Sequence, residues 1–111
     1  MGSDHVDLAK MLNNLALLLR AGGSLEGALE ALQRAIAIWN KALGTDKSPE
    51  VAMALCELGI VWWRKGDVDR ASVHLEKGVK MLKKTLGEGH PQYWNYGAGL
   101  KMLRRGENCP M

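Results

Sequence analysis

The chain has 111 residues, 47% of them hydrophobic and 24% charged, which is enough for one small globular domain. Its formal net charge of +3 is too small to indicate nucleic-acid binding by itself, and two cysteines are too few for a disulfide-framed scaffold. No segment shows the alternation of β-branched residues that is typical of a strand, so the composition favours an all-α fold.

The same features bear on the cellular compartment. The apolar window from Val51 to Trp63 spans only about 13 residues and contains Glu57, so it is too short and too polar to cross a bilayer. No opening stretch resembles a secretory signal peptide, and Cys56 has the setting of a free buried thiol. We therefore expect a cytoplasmic protein that does not bind membranes.

Turn and capping residues punctuate the chain at regular places. Pro49 and Pro91 stand at first helical positions, where the missing N–H costs little. Ser24 and Asp67 are suitable N-caps, because their side-chain oxygens accept hydrogen bonds from the first backbone N–H groups of a helix. These signals predict five helices, over residues 6–21, 25–43, 49–64, 68–86 and 91–105.

Large apolar residues recur at a constant offset. Leu12 matches Leu55, 43 residues later, and further matches at the same offset predict side chains that fill the space between the two helices of each unit. These further pairs are Leu15 with Leu58, Leu19 with Trp62, and Leu32 with Leu75.

Small residues recur at the same offset. We predict that Ala16/Gly59 and Ala28/Ala71 allow the helices of a unit to approach closely, and that Ala35/Gly78 admits the next unit. The repeats run over 5–47 and 48–89. A partial unit over 90–107 either begins a third repeat or caps the stack.

The spacing Leu55-x-x-Leu58-Gly59-x-x-Trp62, followed by Ala71-x-x-x-Leu75, resembles the tetratricopeptide (TPR) signature. The long unit, with "LNNLA" and the loops "GTDKSP" and "GEGHP", is similar to the repeats of kinesin light chains and related bacterial and fungal TPR proteins. The resemblance implies one TPR-like α-solenoid domain, residues 1–111, with about two and a half repeats. It also implies that the first helix of each pair lines a concave groove that binds proteins.

The register of the first helices assigns groove positions by that resemblance. Trp62 occupies the core position of Leu19, so its neighbour Trp63 should face the groove. Asn13 would hydrogen-bond the backbone of an extended peptide, since its amide both donates and accepts, or else it only caps or solvates a turn. The predicted partner-binding residues are Lys10, Asn13, Leu17, Arg20, Met53, Cys56, Ile60, Trp63, Arg64, Tyr93 and Tyr96.

An apolar and aromatic groove with arginines at its rim predicts a protein partner, a peptide or helix with an apolar anchor and acidic flanks. Alternatively, the fifth helix or a second copy of the chain covers Trp63, and the function is homo-oligomerisation or that of an engineered structural repeat module. A third alternative is single-stranded RNA that stacks on Trp63, Tyr93 and Tyr96, although the basic residues do not form one continuous track.

No residues indicate catalysis or a cofactor. His5, His74 and His90 are dispersed, and none has a cysteine or carboxylate at a metal-ligand spacing. The glycine-bearing turns "AGGS" and "GEGH" join helices, whereas phosphate-binding loops follow strands. We therefore predict a scaffold protein that is not an enzyme and carries neither a metal nor a cofactor.

Overall fold

The computed structural model describes residues 2–44 and 48–110, and this part of the chain forms five α-helices and no strands, which confirms the all-α prediction. The helices are α1 (Gly2–Ala21), α2 (Leu25–Leu43), α3 (Pro49–Arg64), α4 (Val68–Thr85) and α5 (Pro91–Arg104). The predicted ends agree to within one residue, except that α1 begins four residues earlier than predicted. The centre of the predicted loop "GTDKSP", residues 45–47, lies outside the described residues. None of the described helices is both long and apolar enough to cross a membrane.

The helices stack as successive hairpins. The most extensive contacts are α3 with α4 and α1 with α2, and each hairpin continues into the next through α2 on α3 and α4 on α5. The resulting body is elongated, with principal extents of 44 × 31 × 20 Å. Because α3 is packed between neighbours, its side chains are buried almost all round, as the apolar run of this helix predicts.

More of the predicted core residues are buried in the second unit than in the first. Leu12 and Leu32 are buried, as are their counterparts Leu55 and Leu75. Leu15, however, is 46% exposed, so the prediction that it fills the core is wrong, although its counterpart Leu58 is buried. Leu58 lies on a covered side of α3, whereas no described helix covers the corresponding side of α1.

Two glycines set the close spacing of α3 and α4. A Cβ atom on Gly59 would lie 2.9 Å from the Leu75 side chain, and one on Gly78 would lie 2.5 Å from the sulfur of Cys56. Both values are shorter than real Cβ contacts. Gly78 therefore packs within its own hairpin, and the prediction that it admits the next unit is wrong.

α1, α3 and α5 end in the same corner. In each, a glycine takes a positive φ, which only glycine adopts at no steric cost. The glycines are Gly23, Gly66 and Gly106, with φ of 88°, 91° and 76°. The next N–H then donates back to the helix; at the third corner Glu107 donates to the carbonyl of Met102. This geometry turns the chain after α5 back over the preceding helices.

The helix starts differ in how they are capped. Asp67 caps α4 as predicted, because its carboxylate accepts from the backbone N–H of Arg70 at 3.0 Å. Ser24 stands at the matching place before α2 but makes no side-chain capping bond, so that part of the prediction is wrong. At the start of α3, the side chain of Ser48 acts as the N-cap and accepts a hydrogen bond from the Val51 N–H at 3.3 Å.

Candidate functional site

A groove of about 340 Å³ lies where α1, α3 and α5 come together, and we call it the central groove. Leu17 and Met53 supply its apolar surface, and the ring of Tyr96 borders it on the α5 side. All three first helices contribute, which is the arrangement that the resemblance to TPR repeats implies. The complete lining is Lys10, Asn13, Asn14, Leu17, Trp39, Glu50, Met53, Glu57, Gln92 and Tyr96.

A buried carboxylate joins the three helices at the groove. Glu57 Oε2 of α3 lies 3.2 Å from Nη2 of Arg20 on α1, and the hydroxyl of Tyr96 on α5 donates a hydrogen bond to Glu57 Oε1. The Glu57 side chain is only 10% exposed, so this charge is stabilised by the two partners rather than by water. We call these three residues the Arg20–Glu57–Tyr96 cluster.

The cluster fixes the protonation of its phenol. Burial raises the pKa of Tyr96 well above its ordinary value, and the negative charge and hydrogen bond of Glu57 raise it further, while Arg20 opposes the shift. The hydroxyl therefore remains a hydrogen-bond donor at neutral pH. Tyr96 presents its ring, and not a free hydroxyl, to the groove.

Three side chains of the groove lining have a buried polar atom without a hydrogen-bond partner among the described residues. The atoms are Oδ1 of Asn13, Nε1 of Trp39 and Oε2 of Glu57, and the last of these is ion-paired with Arg20. A buried polar group without a partner costs about 1–3 kcal/mol. Because these atoms are buried, the part of the lining that a ligand can meet here is the partly exposed remainder of the Asn13 side chain.

Five of the predicted site residues lie in the groove. They are Lys10, Asn13, Leu17, Met53 and Tyr96. Lys10 is exposed and forms no ion pair within the described residues, so its charge is available to a ligand.

The two predicted rim arginines are engaged within the chain. Arg20 pairs with Glu57, and Nη1 of Arg64 donates to the main-chain oxygen of Arg20 at 2.8 Å. These contacts hold the end of α3 on α1. Neither guanidinium is therefore as available for an acidic ligand as the sequence led us to expect.

Trp63 does not face the groove, and that prediction is wrong. The residue is only 6% exposed, and its Nε1 donates to the main-chain oxygen of Glu107 at 3.2 Å. The chain that follows α5 thus covers the indole. Trp62, predicted as the core member of the pair, is half-buried, with the guanidinium of Arg70 4.7 Å from its ring centroid.

Three further predicted site residues also lie away from the groove surface. Cys56 and Ile60 are completely buried, so neither can contact a partner. Burial, reinforced by the charge of Glu57, also raises the pKa of the Cys56 thiol, which keeps it protonated. Tyr93 packs edge-on against the ring of Trp94, with centroids 5.7 Å apart.

Sequence reasoning missed Glu57 and Trp39 as parts of the site. A signal for Glu57 existed: it is the counterpart of Asn14 at the 43-residue offset and an acidic residue in an otherwise apolar helix. Trp39 belongs to a second helix, so the repeat register gave no reason to place it beside the groove. In the described part of the chain, no group of three His, Cys, Asp or Glu side chains could hold a metal ion.

Comparison with known proteins agrees with this architecture. A family model for the tetratricopeptide repeat matches residues 7–84. The chain is 31% identical over 91 residues to Protein KINESIN LIGHT CHAIN-RELATED 1 of Arabidopsis thaliana, covering 82% of this chain and 15% of that protein. It is 29% identical over 102 residues to the Clustered mitochondria protein homolog of Homo sapiens, covering 92% of this chain and 8% of that protein. The chain thus spans a small part of the relatives that it matches.

Proposed function

The chain belongs to the tetratricopeptide repeat family, whose repeats generally mediate protein–protein interactions, and we propose that it binds an extended peptide segment of a partner protein in the central groove. The observation that carries the proposal is the apolar surface of Leu17 and Met53 beside the ring of Tyr96, bordered by the partly exposed side-chain amide of Asn13. The binding is non-catalytic and needs no cofactor.

The groove supports a peptide ligand on three counts. Leu17 and Met53 beside the ring of Tyr96 make an apolar seat for one anchoring side chain. The partly exposed side-chain amide of Asn13 suits the main chain of a ligand, because an amide group both donates and accepts. An extended chain leaves its main-chain donors and acceptors open to such a contact, whereas a helix pairs them within itself.

The charges of the groove refine the partner. Because Arg20 and Arg64 already have partners, an acidic residue of the peptide is best placed near Lys10, at the α1 side of the groove. Glu50 also lines the groove and disfavours a second acidic residue beside it. We therefore propose a ligand with one apolar anchor and a single acidic flank.

Single-stranded RNA receives no comparable support. Of the three aromatic residues considered for base stacking, Trp63 is buried and Tyr93 packs on Trp94. Only the ring of Tyr96 borders the groove, so a succession of stacked bases has no platform.

The test is selection of nine-residue peptides from a random display library, followed by fluorescence anisotropy with the enriched peptides. We expect Asn13→Ala and Met53→Asp each to weaken binding at least tenfold, because they remove the side-chain amide that faces the peptide backbone and the apolar surface for the anchoring side chain. The matched control Gln33→Ala changes an exposed residue of α2 outside the groove and should bind as the unchanged chain does. Equal affinities for all four proteins would place the ligand elsewhere.

A further inference from the structure

The first helix carries an uncovered apolar stripe on a side that does not belong to the central groove. The stripe consists of four exposed side chains, Leu8 (42% exposed), Met11 (67%), Leu15 (46%) and Leu18 (71%). Their spacing of three, four and three residues places them on one face of α1, in the pattern of a coiled-coil seam. Singly exposed apolar residues are common, but a contiguous row marks an interaction surface.

The internal repeat shows what kind of surface this is. At the 43-residue offset, the stripe corresponds to four residues of α3 that are all buried, namely Val51, Ala54, Leu58 and Val61. The side of α3 that meets α4 is occupied by Cys56 and Gly59, which contact Gly78 and Leu75. By helical spacing the four buried residues lie on the other side of α3, and α2 is the second helix with which α3 packs extensively. The stripe on α1 is therefore shaped to receive a helix.

We propose that this helix is α1 of a second copy of the chain, packed antiparallel about a two-fold axis near Asn13. The spacing between the residues of the stripe is the same in both directions along the helix. Leu8 would therefore oppose Leu18 of the second copy, and Met11 would oppose Leu15. Each apolar side chain of one copy then meets an apolar side chain of the other. No charged residue belongs to the stripe itself.

The charge distribution favours this end of the molecule for self-association. The opposite end, formed by α4 and α5, carries Lys77, Lys80, Lys84 and Lys101, none of which is ion-paired within the described residues. Contact between two such ends would bring like charges together, whereas contact through α1 keeps them apart. A cleft lined by Ala37, Ile38, Lys41 and Ala42 of α2, with His5 at its edge, adjoins the start of the stripe and extends the available surface.

The size of the stripe sets the expected affinity. A standard interface buries roughly 800 Å² on each partner and uses about 20–30 residues a side, which four side chains do not reach. We therefore expect a dimer that dissociates at micromolar concentrations. The proposal does not depend on peptide binding, because the groove residues and the stripe lie on different faces of α1.

The experiment is sedimentation velocity of the intact chain between about 5 and 500 μM. We expect a monomer–dimer equilibrium that Leu18→Glu weakens at least tenfold. The matched control is Val73→Glu, which places the same charge on a similarly exposed apolar position of α4 and should leave the dimer unchanged. Circular dichroism verifies that each variant folds, and Met11→Glu replaces Leu18→Glu if that chain does not.

A rescue variant tests the antiparallel arrangement. In Leu8→Lys/Leu18→Glu, the two changed positions oppose each other between copies but are ten residues apart within one helix, so they cannot pair within it. We expect this double variant to dimerise again at low salt and to dissociate at high salt. A monomer at every concentration, equal effects of Val73→Glu and Leu18→Glu, or a double variant that stays monomeric would overturn the proposal.

Discussion

The indole N–H of Trp63 donates to the main-chain oxygen of Glu107 at 3.2 Å, a contact between residues 44 positions apart in the chain. It holds the segment after α5 against α3 and closes that side of the stack. Within the described part of the chain the adjacent Trp62 makes no such contact, and it lies half-buried beside Arg70. The two neighbouring tryptophans therefore differ in their contribution to stability.

We expect Trp63→Ala to lower the free energy of unfolding by roughly 3–5 kcal/mol, because it empties a buried site. Trp62→Ala should cost about half as much, since its side chain is partly solvated already. Trp63→Phe keeps most of the ring volume and removes the hydrogen bond, for a loss of about 1 kcal/mol. Urea denaturation followed by circular dichroism measures all three; equal losses for the two alanine variants would contradict the structure.

Gly78→Ala should destabilise the chain by about 2–3 kcal/mol. The new Cβ would lie 2.5 Å from Cys56 Sγ and 2.9 Å from backbone atoms of Ala52 and Cys56, so α3 and α4 must separate. Cys56→Ala removes the sulfur but not the backbone contacts, and should rescue only part of the loss.

Gly97→Ala is the matched control for that change. Gly97 lies within α5 and a Cβ there would meet no atom within 4 Å, so the helix gains propensity without a clash. We expect a stabilisation of about 0.5–1 kcal/mol. Thermal denaturation of the two alanine variants side by side should give shifts of opposite sign.

Stability should fall as the solution becomes alkaline. Burial first, and then the charge of Glu57, raises the pKa of both Cys56 and Tyr96 above the ordinary values of 9.0 and 10.0. Above pH 9 the unfolded chain therefore loses protons that the folded chain retains, and the free energy of unfolding decreases by up to about 1.4 kcal/mol per pH unit and group. Below pH 9 these two groups contribute no pH dependence. Urea denaturation from pH 8 to 11 should show a shallower decline for Cys56→Ala and for Tyr96→Phe.

Glu57→Ala should cost roughly 3 kcal/mol, because it leaves the guanidinium of Arg20, only 17% exposed, without its carboxylate partner. The double variant Glu57→Ala/Arg20→Met should recover a large part of the lost free energy of unfolding, since it no longer contains an unpaired buried charge. A double-mutant cycle on urea unfolding measures the coupling. Additive losses would show that the two side chains do not stabilise each other.

The sequence predicted the helices well because their ends depend on local chemistry. Pro49, Pro91 and the corner glycines restrict the backbone wherever they occur, so they need no tertiary information. The apolar character of α3 likewise indicated a helix packed between neighbours. Five groove residues followed from the resemblance to the TPR pattern, which implies that the first helix of each pair lines the groove.

The errors have a common physical cause. Repeat offsets assume that corresponding residues have corresponding neighbours, and this fails wherever a helix has a neighbour in one unit and none in the other. Leu15 and Leu58 occupy matching positions, yet only Leu58 is covered. Trp63 is covered by the segment after α5, which is not helical, although the corresponding places after α1 and α3 are occupied by the helices α2 and α4. Such differences depend on the tertiary structure, so the spacing of residues in the sequence does not reveal them.

The Arg20–Glu57–Tyr96 cluster has a consequence for how the stack comes apart. A simple repeat array holds together only between adjacent units, so its ends can unravel one after another. Here one carboxylate of α3 is attached to both outer first helices, and loosening either end disturbs a charge buried in the middle. The five helices should therefore be lost together, as a single cooperative unit, despite the modular way in which the sequence is written.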